Sequence, residues 1–262
     1  MPRSPGRRRP EVSGHWLYLP GNSPAHRTPV EVKIVCAVGA IFAVVATPRE
    51  LFWPFGCYAL GLVAVWSWIG VPLRWIAPRL LIEAPFVVLA ILLPFAAGEP
   101  RTVFAGLSLS TNGLYAAWGI VAKGTLGVGI SLTLAATTSV GQLPAGLARL
   151  RVPGVIVMIV VLMLRYVDVL VDEAARMRVA RISRGDDPRT LRQAGATARG
   201  AGHLFLRSYE RGERVHLAMV SRGFDGSAVD FGHQPATRAQ WLFGLLPAIG
   251  AICVCLSAWA VR

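Results

Sequence analysis

Two copies of a Ser-Arg-Gly triplet are the residues of this sequence best suited to a specific chemical contact. They are Ser183, Arg184 and Gly185 and, 38 residues later, Ser221, Arg222 and Gly223. A guanidinium group presents five N–H donors in a planar fork that binds a carboxylate bidentately, and it keeps its charge at physiological pH. The triplets therefore predict two equivalent contacts with acidic groups on a partner, rather than a reaction centre.

The similarity between the two copies extends towards the N-terminus. Three further positions align: Ala180 with Ala218, Arg176 with Arg214, and Asp172 with Glu210. In each copy the acid lies four residues before the arginine, the order that stabilises a helix by a few tenths of a kcal/mol. A glycine after the last turn favours a left-handed cap, and an arginine in that turn is favoured by the helix dipole. Because arginines commonly end cytoplasmic helices, the triplet alone could recur by chance. The aligned positions favour one arginine-tipped helix built twice.

Catalysis would require other polar groups, and these are few. Glu83, Lys123, Arg165 and Asp168 lie within apolar segments, where an intramembrane hydrolase would need them, but no HExxH, GxSxG or acid pair accompanies them. The chain has two lysines, and neither lies in a GxxxxGK[ST] phosphate-binding loop. Five histidines are scattered without metal-ligand spacing: His15, His26, His203, His216 and His233. We therefore predict that this chain has no catalytic residues, no cofactor and no metal site.

The composition indicates a membrane protein. Of 262 residues, 54% are hydrophobic and only 16% are charged, whereas soluble domains are about a quarter charged. The net charge of +13 could suit nucleic acid, but the basic residues lie in short segments between apolar runs, so we predict no nucleic-acid partner. Six runs are candidate spans, with Pro48 and Pro78 at breaks between them: Val32–Thr47, Leu51–Val71, Leu80–Ala97, Leu114–Thr138, Val152–Val171 and Trp241–Ala260.

The basic residues also predict the orientation. They cluster before the first span and after the second and fourth, whereas the turns after the first and third spans hold only Arg49 and Arg101. By the positive-inside rule, the N-terminus is cytoplasmic and the protein is a multi-pass protein of the cell membrane.

The fifth run breaks this alternation, because basic residues lie on both sides of it. It also contains Arg165 and Asp168, each costing about 3 kcal/mol at a bilayer centre. We expect one long helix from about Pro153 to Arg184 that lies along the inner membrane face. The alternative is an ordinary span with an Arg165–Asp168 ion pair.

The whole pattern predicts an all-α integral membrane protein with about five transmembrane helices and long cytoplasmic helices. The predicted segments are a basic cytoplasmic tail at 1–31, transmembrane helices one to four at 32–140, a cytoplasmic or inner-face helical domain at 141–240, and a final transmembrane helix at 241–262.

Several stretches resemble the transmembrane (T) component of energy-coupling factor (ECF) transporters, most closely the CbiQ type that serves cobalt or nickel uptake. The most specific is LFLRSYERGERVHLAMVSRGFDG. The second coupling helix of that family is similar to LRYVDVLVDEAARMRVARISRG, and the first coupling helix is similar to AATTSVGQLPAGLARLRVP. The segment that leads into the first span of the family is similar to GNSPAHRTPVEVKIV. The family motif is often Ala-Arg-Gly, and both copies here begin with serine instead.

The resemblance implies a role for each triplet. Arg184 and Arg222 would each dock in a groove on one subunit of a cytoplasmic ATPase dimer, and the flanking serines and glycines would shape the tips. ATP and Mg would be bound by those ATPase subunits. Arg165 and Asp168 would face a metal-capturing membrane subunit as well as the ATPases. The cargo implied is cobalt or nickel, with a vitamin such as biotin as the alternative. A complete secondary transporter is disfavoured, because six apolar runs are few and no inverted repeat is evident.

Overall fold

The computed structural model describes residues 18, 19, 21, 23–96, 101–104, 107–185, 194–226 and 236–261. Most of the tail predicted at 1–31 lies outside these ranges. The described residues form two compact units. The first unit holds those of Leu147–His233, and the second holds those of Leu17–Gly146 and Gln234–Arg262.

Helices account for most of the described chain, which confirms the all-α class. In chain order they are α1 (Pro24–Arg27), α2 (Val30–Ala46), α3 (Trp53–Ile69), α4 (Leu73–Leu80), α5 (Ala84–Ala96), α6 (Thr111–Thr137), α7 (Leu143–Arg149), α8 (Gly154–Ile182), α9 (Ala194–Val220) and α10 (Arg238–Ala260). Two 3₁₀ turns, Leu81–Glu83 and Val140–Gln142, precede α5 and α7.

Four helical segments within the described ranges are long and apolar enough to cross a membrane. They are Arg74–Phe95, Thr111–Thr137, Gly154–Ile182 and Arg238–Ala260, and α3 is a shorter apolar helix. The protein is therefore a multi-pass membrane protein. The expected long helix is present as α8, unbroken from Gly154 to Ile182. Its length and composition alone would allow it to cross, so its position at the inner face stays a prediction that rests on the arginines at both ends.

The segments on both sides of the third predicted span differ from expectation. Pro78 lies inside α4 instead of breaking the chain there, and the apolar segment accordingly begins at Arg74. After α5, strands β1 (Arg101–Phe104) and β2 (Leu107–Ser110) pair antiparallel, a hairpin that the sequence analysis did not predict. Pairing satisfies backbone groups that a connection beside the membrane would otherwise leave without partners.

In the second unit, α2, α3, α6 and α10 pack around a core of Val44, Phe55, Tyr58 and Leu126. Small residues of α6 allow close approach by α3. A Cβ atom on Gly129 would lie 2.5 Å from Leu62 Cδ2, so no larger residue fits without a shift.

Some polar groups at helix ends in this unit are satisfied by side chains of other helices, which suits a membrane environment. The C-terminal end of α2 is the clearest case. Its last carbonyl groups have no partner within the helix, and side chains of two other helices supply donors. Lys123 Nζ donates to the Val45 carbonyl at 2.7 Å, and Trp259 Nε1 donates to the Ala46 carbonyl at 3.1 Å. Lys123, to which the sequence analysis assigned no role, thus caps a neighbouring helix.

We expect Lys123→Met to destabilise the folded chain by about 1 kcal/mol, because the Val45 carbonyl at the end of α2 loses its donor. Lys123→Arg keeps N–H donors at this position and is the matched control. The apparent Tm in detergent, followed by the loss of monodisperse protein on heating, measures the effect. A Met variant as stable as the parent would show that this contact contributes nothing to the fold.

Candidate functional site

The two predicted tips lie on helices α8 and α9 of the first unit, which pack together antiparallel. Arg207 of α9 donates to Glu173 of α8, and Arg181 Nη1 donates to Thr197 Oγ1 at 2.9 Å. The residue numbers rise along α8 as they fall along α9, so the two helices run in opposite directions. The tips therefore lie at opposite ends of a two-helix hairpin.

The first tip ends α8 with a regular set of hydrogen bonds. The Ser183 N–H donates to the Val179 carbonyl at 3.0 Å, and the Gly185 N–H donates to the Ile182 carbonyl at 3.0 Å. Gly185 has φ of +85°, the left-handed conformation expected for a glycine cap. The Ser183 hydroxyl donates back to the Ala180 carbonyl at 3.0 Å.

The second tip repeats this arrangement at the end of α9. The Ser221 N–H donates to the Leu217 carbonyl at 2.9 Å, and the Gly223 N–H donates to the Val220 carbonyl at 2.9 Å. Gly223 has φ of +86°, and the Ser221 hydroxyl donates to the Ala218 carbonyl at 3.0 Å. The two copies are therefore alike in backbone as well as in sequence. Each serine hydroxyl thus bonds to a carbonyl of its own helix.

Both arginines at these tips extend into the surroundings. Arg184 and Arg222 are exposed, and neither guanidinium group makes a hydrogen bond or ion pair to another described residue. The hydrogen bond between Arg181 and Thr197 shows that the first tip lies near the start of α9. The second tip lies at the other end of α9, because Arg222 follows Thr197 by 25 residues. At 1.5 Å per residue, the tips are about 40 Å apart along the hairpin.

The acid that supports the first helix is not the one predicted. Arg176 donates to Glu173 Oε2 at 2.7 Å, whereas the sequence analysis paired it with Asp172. Residues three and four apart are both neighbours on a helix, and Glu173 also accepts from Arg207 of α9, so it joins the two helices. In the second helix, the side chains of Glu210 and Arg214, both within the described range, form no hydrogen bond or ion pair with each other.

Arg165 and Asp168 lie one turn apart on the apolar part of α8. Arg165 is exposed and Asp168 is half-buried. Within the described chain they form no ion pair with each other, so the structure gives no support to the alternative of a paired span. Their predicted role towards a partner stays a prediction.

Histidine, cysteine and acidic side chains do not converge among the described residues in a group of three or more that could hold a metal ion. The tips themselves carry cations, which repel metal ions and attract carboxylates. The arrangement can bind acidic groups at two separate points.

Comparison with known proteins agrees with this arrangement. Residues 21–231, a range that includes both tips, match the model of a family described as cobalt transport protein, CbiQ. The cobalt transport protein CbiQ of Rhodobacter capsulatus is 28% identical over 227 residues, which cover 85% of this chain and 89% of that protein. The energy-coupling factor transporter transmembrane protein EcfT of Thermanaerovibrio acidaminovorans is 29% identical over 225 residues, 80% of this chain and 82% of that protein.

A shorter match joins the chain to an uncharacterised protein of Methanocaldococcus jannaschii. The two are 37% identical over 103 residues, which cover 38% of this chain and 37% of that protein. Members of the matched family are transmembrane components of transporters and not catalytic subunits. The family match covers most of the chain, and the membrane helices and the repeated tips fall within it. The chain therefore belongs to the cobalt transport protein (CbiQ) family.

Proposed function

We propose that this chain is the coupling subunit of an ATP-driven ECF-type importer for cobalt or nickel, and that Arg184 and Arg222 dock on the two subunits of a cytoplasmic ATPase dimer. The observation that carries the proposal is the presence of two tips with the same sequence and the same hydrogen bonds, each ending in an exposed arginine. The names of the Rhodobacter and Thermanaerovibrio relatives support the choice of transporter and cargo.

Two like tips fit a dimeric partner, because a two-fold symmetric dimer presents each of its surface sites twice. One chain can engage both copies of such a site only if it carries the binding element twice. The separation of about 40 Å along the hairpin supports contacts with different partner subunits rather than with one groove. Arginine suits this contact because its fork binds a carboxylate with two parallel hydrogen bonds.

The helices behind the tips are suited to transmit motion. α8 has 29 residues and α9 has 27, each without an internal proline. The bond from Arg207 of α9 to Glu173 of α8 ties them to each other. In the proposed mechanism, ATP-driven closure of the dimer displaces both tips, and the helices carry this displacement to the membrane.

The other partner is a metal-capturing membrane subunit, which would bind the cobalt or nickel ion. The apolar part of α8, with Arg165 and Asp168, is the surface proposed for this subunit and for the ATPases. ATP and Mg belong to the ATPase subunits. The N-terminus is cytoplasmic in this scheme, as the distribution of basic residues indicates.

The decisive experiment is purification of the chain from its native membrane, with identification of the proteins that co-purify. We expect an ATPase pair and a small membrane protein, and we expect the intact complex in vesicles to accumulate radioactive cobalt or nickel on addition of ATP. Accumulation of biotin without either metal would exclude the metal cargo. A chain that purifies alone and hydrolyses a substrate would exclude the coupling role.

A further inference from the structure

Helices α2, α3, α6 and α10 border an open groove of about 1030 Å³ within the second unit. Its wall is mostly aliphatic and aromatic, with Ala40, Val44, Leu62, Val65, Phe243 and Leu246 as examples. All four helices are apolar, and two of them, α6 and α10, are long enough to cross the bilayer. The wall of the groove is therefore chemically suited to contact hydrocarbon chains of the membrane.

The groove has the length of one leaflet. On α2 it extends from Lys33 to Val44, on α3 from Cys57 to Ile69, and on α10 from Ala239 to Val254. At 1.5 Å per helical residue these distances are about 16, 18 and 22 Å. Half of a hydrocarbon core of about 30 Å is about 15 Å. An acyl chain that lies in the groove would therefore reach from the bilayer surface to its midplane.

One end of the groove is basic. Arg27 and Lys33 line it there, and none of the described lining residues is acidic. Lys33 Nζ donates to the Thr137 carbonyl at 2.8 Å and to the His26 carbonyl at 3.3 Å, which leaves one of its three N–H donors. Arg27 is exposed, and no hydrogen bond or ion pair joins its guanidinium group to another described residue.

Glu31, the acidic residue nearest in sequence to this basic end, does not line the groove. Glu31 is 2% exposed, and its Oε1 accepts a hydrogen bond from the Ala236 N–H at 3.1 Å. It therefore leaves the two cations at the groove end for an external anion.

From this combination we propose that the groove binds an anionic phospholipid of the surrounding membrane, with one acyl chain between α3 and α10 and its phosphate at Arg27 and Lys33. A basic end at headgroup level, beside an apolar channel one leaflet long, is complementary to such a lipid in both charge and length. An apolar helix of a partner subunit would leave both cations without an anion. The inference does not depend on the proposed transport function.

Two glycines of α3 provide a matched pair of test variants. A Cβ atom on either Gly56 or Gly61 would have no heavy atom within 4 Å, so a larger side chain fits at both positions. Gly61 lines the groove and Gly56 does not. Gly61→Leu therefore fills the groove, whereas Gly56→Leu adds the same side chain to the same helix outside it. Arg27→Gln removes one of the two cations of the groove without breaking a side-chain hydrogen bond or ion pair.

The full-length chain, with any subunits that co-purify, is delipidated in detergent and titrated with phosphatidylglycerol or phosphatidylcholine under native mass spectrometry. We expect one phosphatidylglycerol per chain to bind at least tenfold more tightly than phosphatidylcholine. Gly61→Leu should abolish this binding, Gly56→Leu should preserve it, and Arg27→Gln should weaken it about fivefold, the effect of one basic residue near a membrane surface.

Three results would overturn the proposal. Equal binding of phosphatidylglycerol and phosphatidylcholine would show that the groove binds acyl chains without selecting an anionic headgroup. Unchanged phosphatidylglycerol binding by Gly61→Leu together with Arg27→Gln would place the lipid elsewhere. A crosslink from position 61 to a co-purified subunit, without bound lipid, would assign the groove to a protein partner.

Discussion

Replacing Arg184 and Arg222 together with alanine is expected to abolish metal accumulation and to release the ATPase subunits, while the chain still inserts into the membrane. Loss of one partner from a hydrogen-bonded charge pair at an interface costs about 2–5 kcal/mol, so each site should weaken at least thirtyfold. Both side chains are exposed and make no bond to another described residue, so the fold does not require them. Co-purification of the ATPase and ATP-dependent uptake of radioactive cobalt and nickel measure the effect.

Two control variants separate the shape of the arginine side chain from its charge. Arg178→Ala with Arg199→Ala removes two exposed arginines from the same two helices, and it should leave uptake and co-purification unchanged. Arg184→Lys with Arg222→Lys keeps the charge but not the bidentate fork, and it should recover only part of the binding. Normal uptake by the double alanine variant would contradict the docking mechanism.

Gly212→Pro is expected to reduce metal uptake at least tenfold, even though both tip arginines remain. Gly212 lies inside α9, ten residues before Arg222, and a Cβ atom there would meet no heavy atom within 4 Å. Proline removes an interior helical hydrogen bond and clashes with the preceding turn, at a cost of about 3 kcal/mol. The resulting kink would absorb displacement that a straight helix passes on. Uptake assays on membranes with matched amounts of the subunit test this expectation.

Gly212→Ala is the control, because alanine strengthens a helix interior by up to about 1 kcal/mol relative to glycine. It should retain full uptake. Full activity of the proline variant, with its ATPase subunits still bound, would mean that motion does not pass along α9.

Local sequence signals predicted the elements that carry the tips. The long fifth helix was expected from about Pro153 to Arg184, and α8 extends from Gly154 to Ile182. Proline before a helix and glycine after it act through their own backbone conformations, so neither signal depends on distant residues. The two left-handed glycines follow from the same local rule. The membrane class followed from composition and run length.

Partners that come from distant parts of the chain could not be predicted in this way. Lys123 bonds to a carbonyl 78 residues earlier in the chain, and nothing in its local sequence identifies that carbonyl. Asp172 and Glu173 were equally placed to pair with Arg176, and Arg207 of α9 joins Glu173 in the fold. The hairpin after α5 depends likewise on pairing between strands, which a pass along the sequence for apolar runs does not detect.

The opposite directions of α8 and α9 have a mechanical consequence. If the two subunits of a closing ATPase dimer push inward on the two tips of this hairpin, the two forces point in opposite directions and sum to nearly zero. Such forces do not translate the pair. Because the two forces act along parallel lines that are offset, they produce a torque. The movement passed to the metal-capturing membrane subunit would therefore be a rotation about an axis perpendicular to the hairpin.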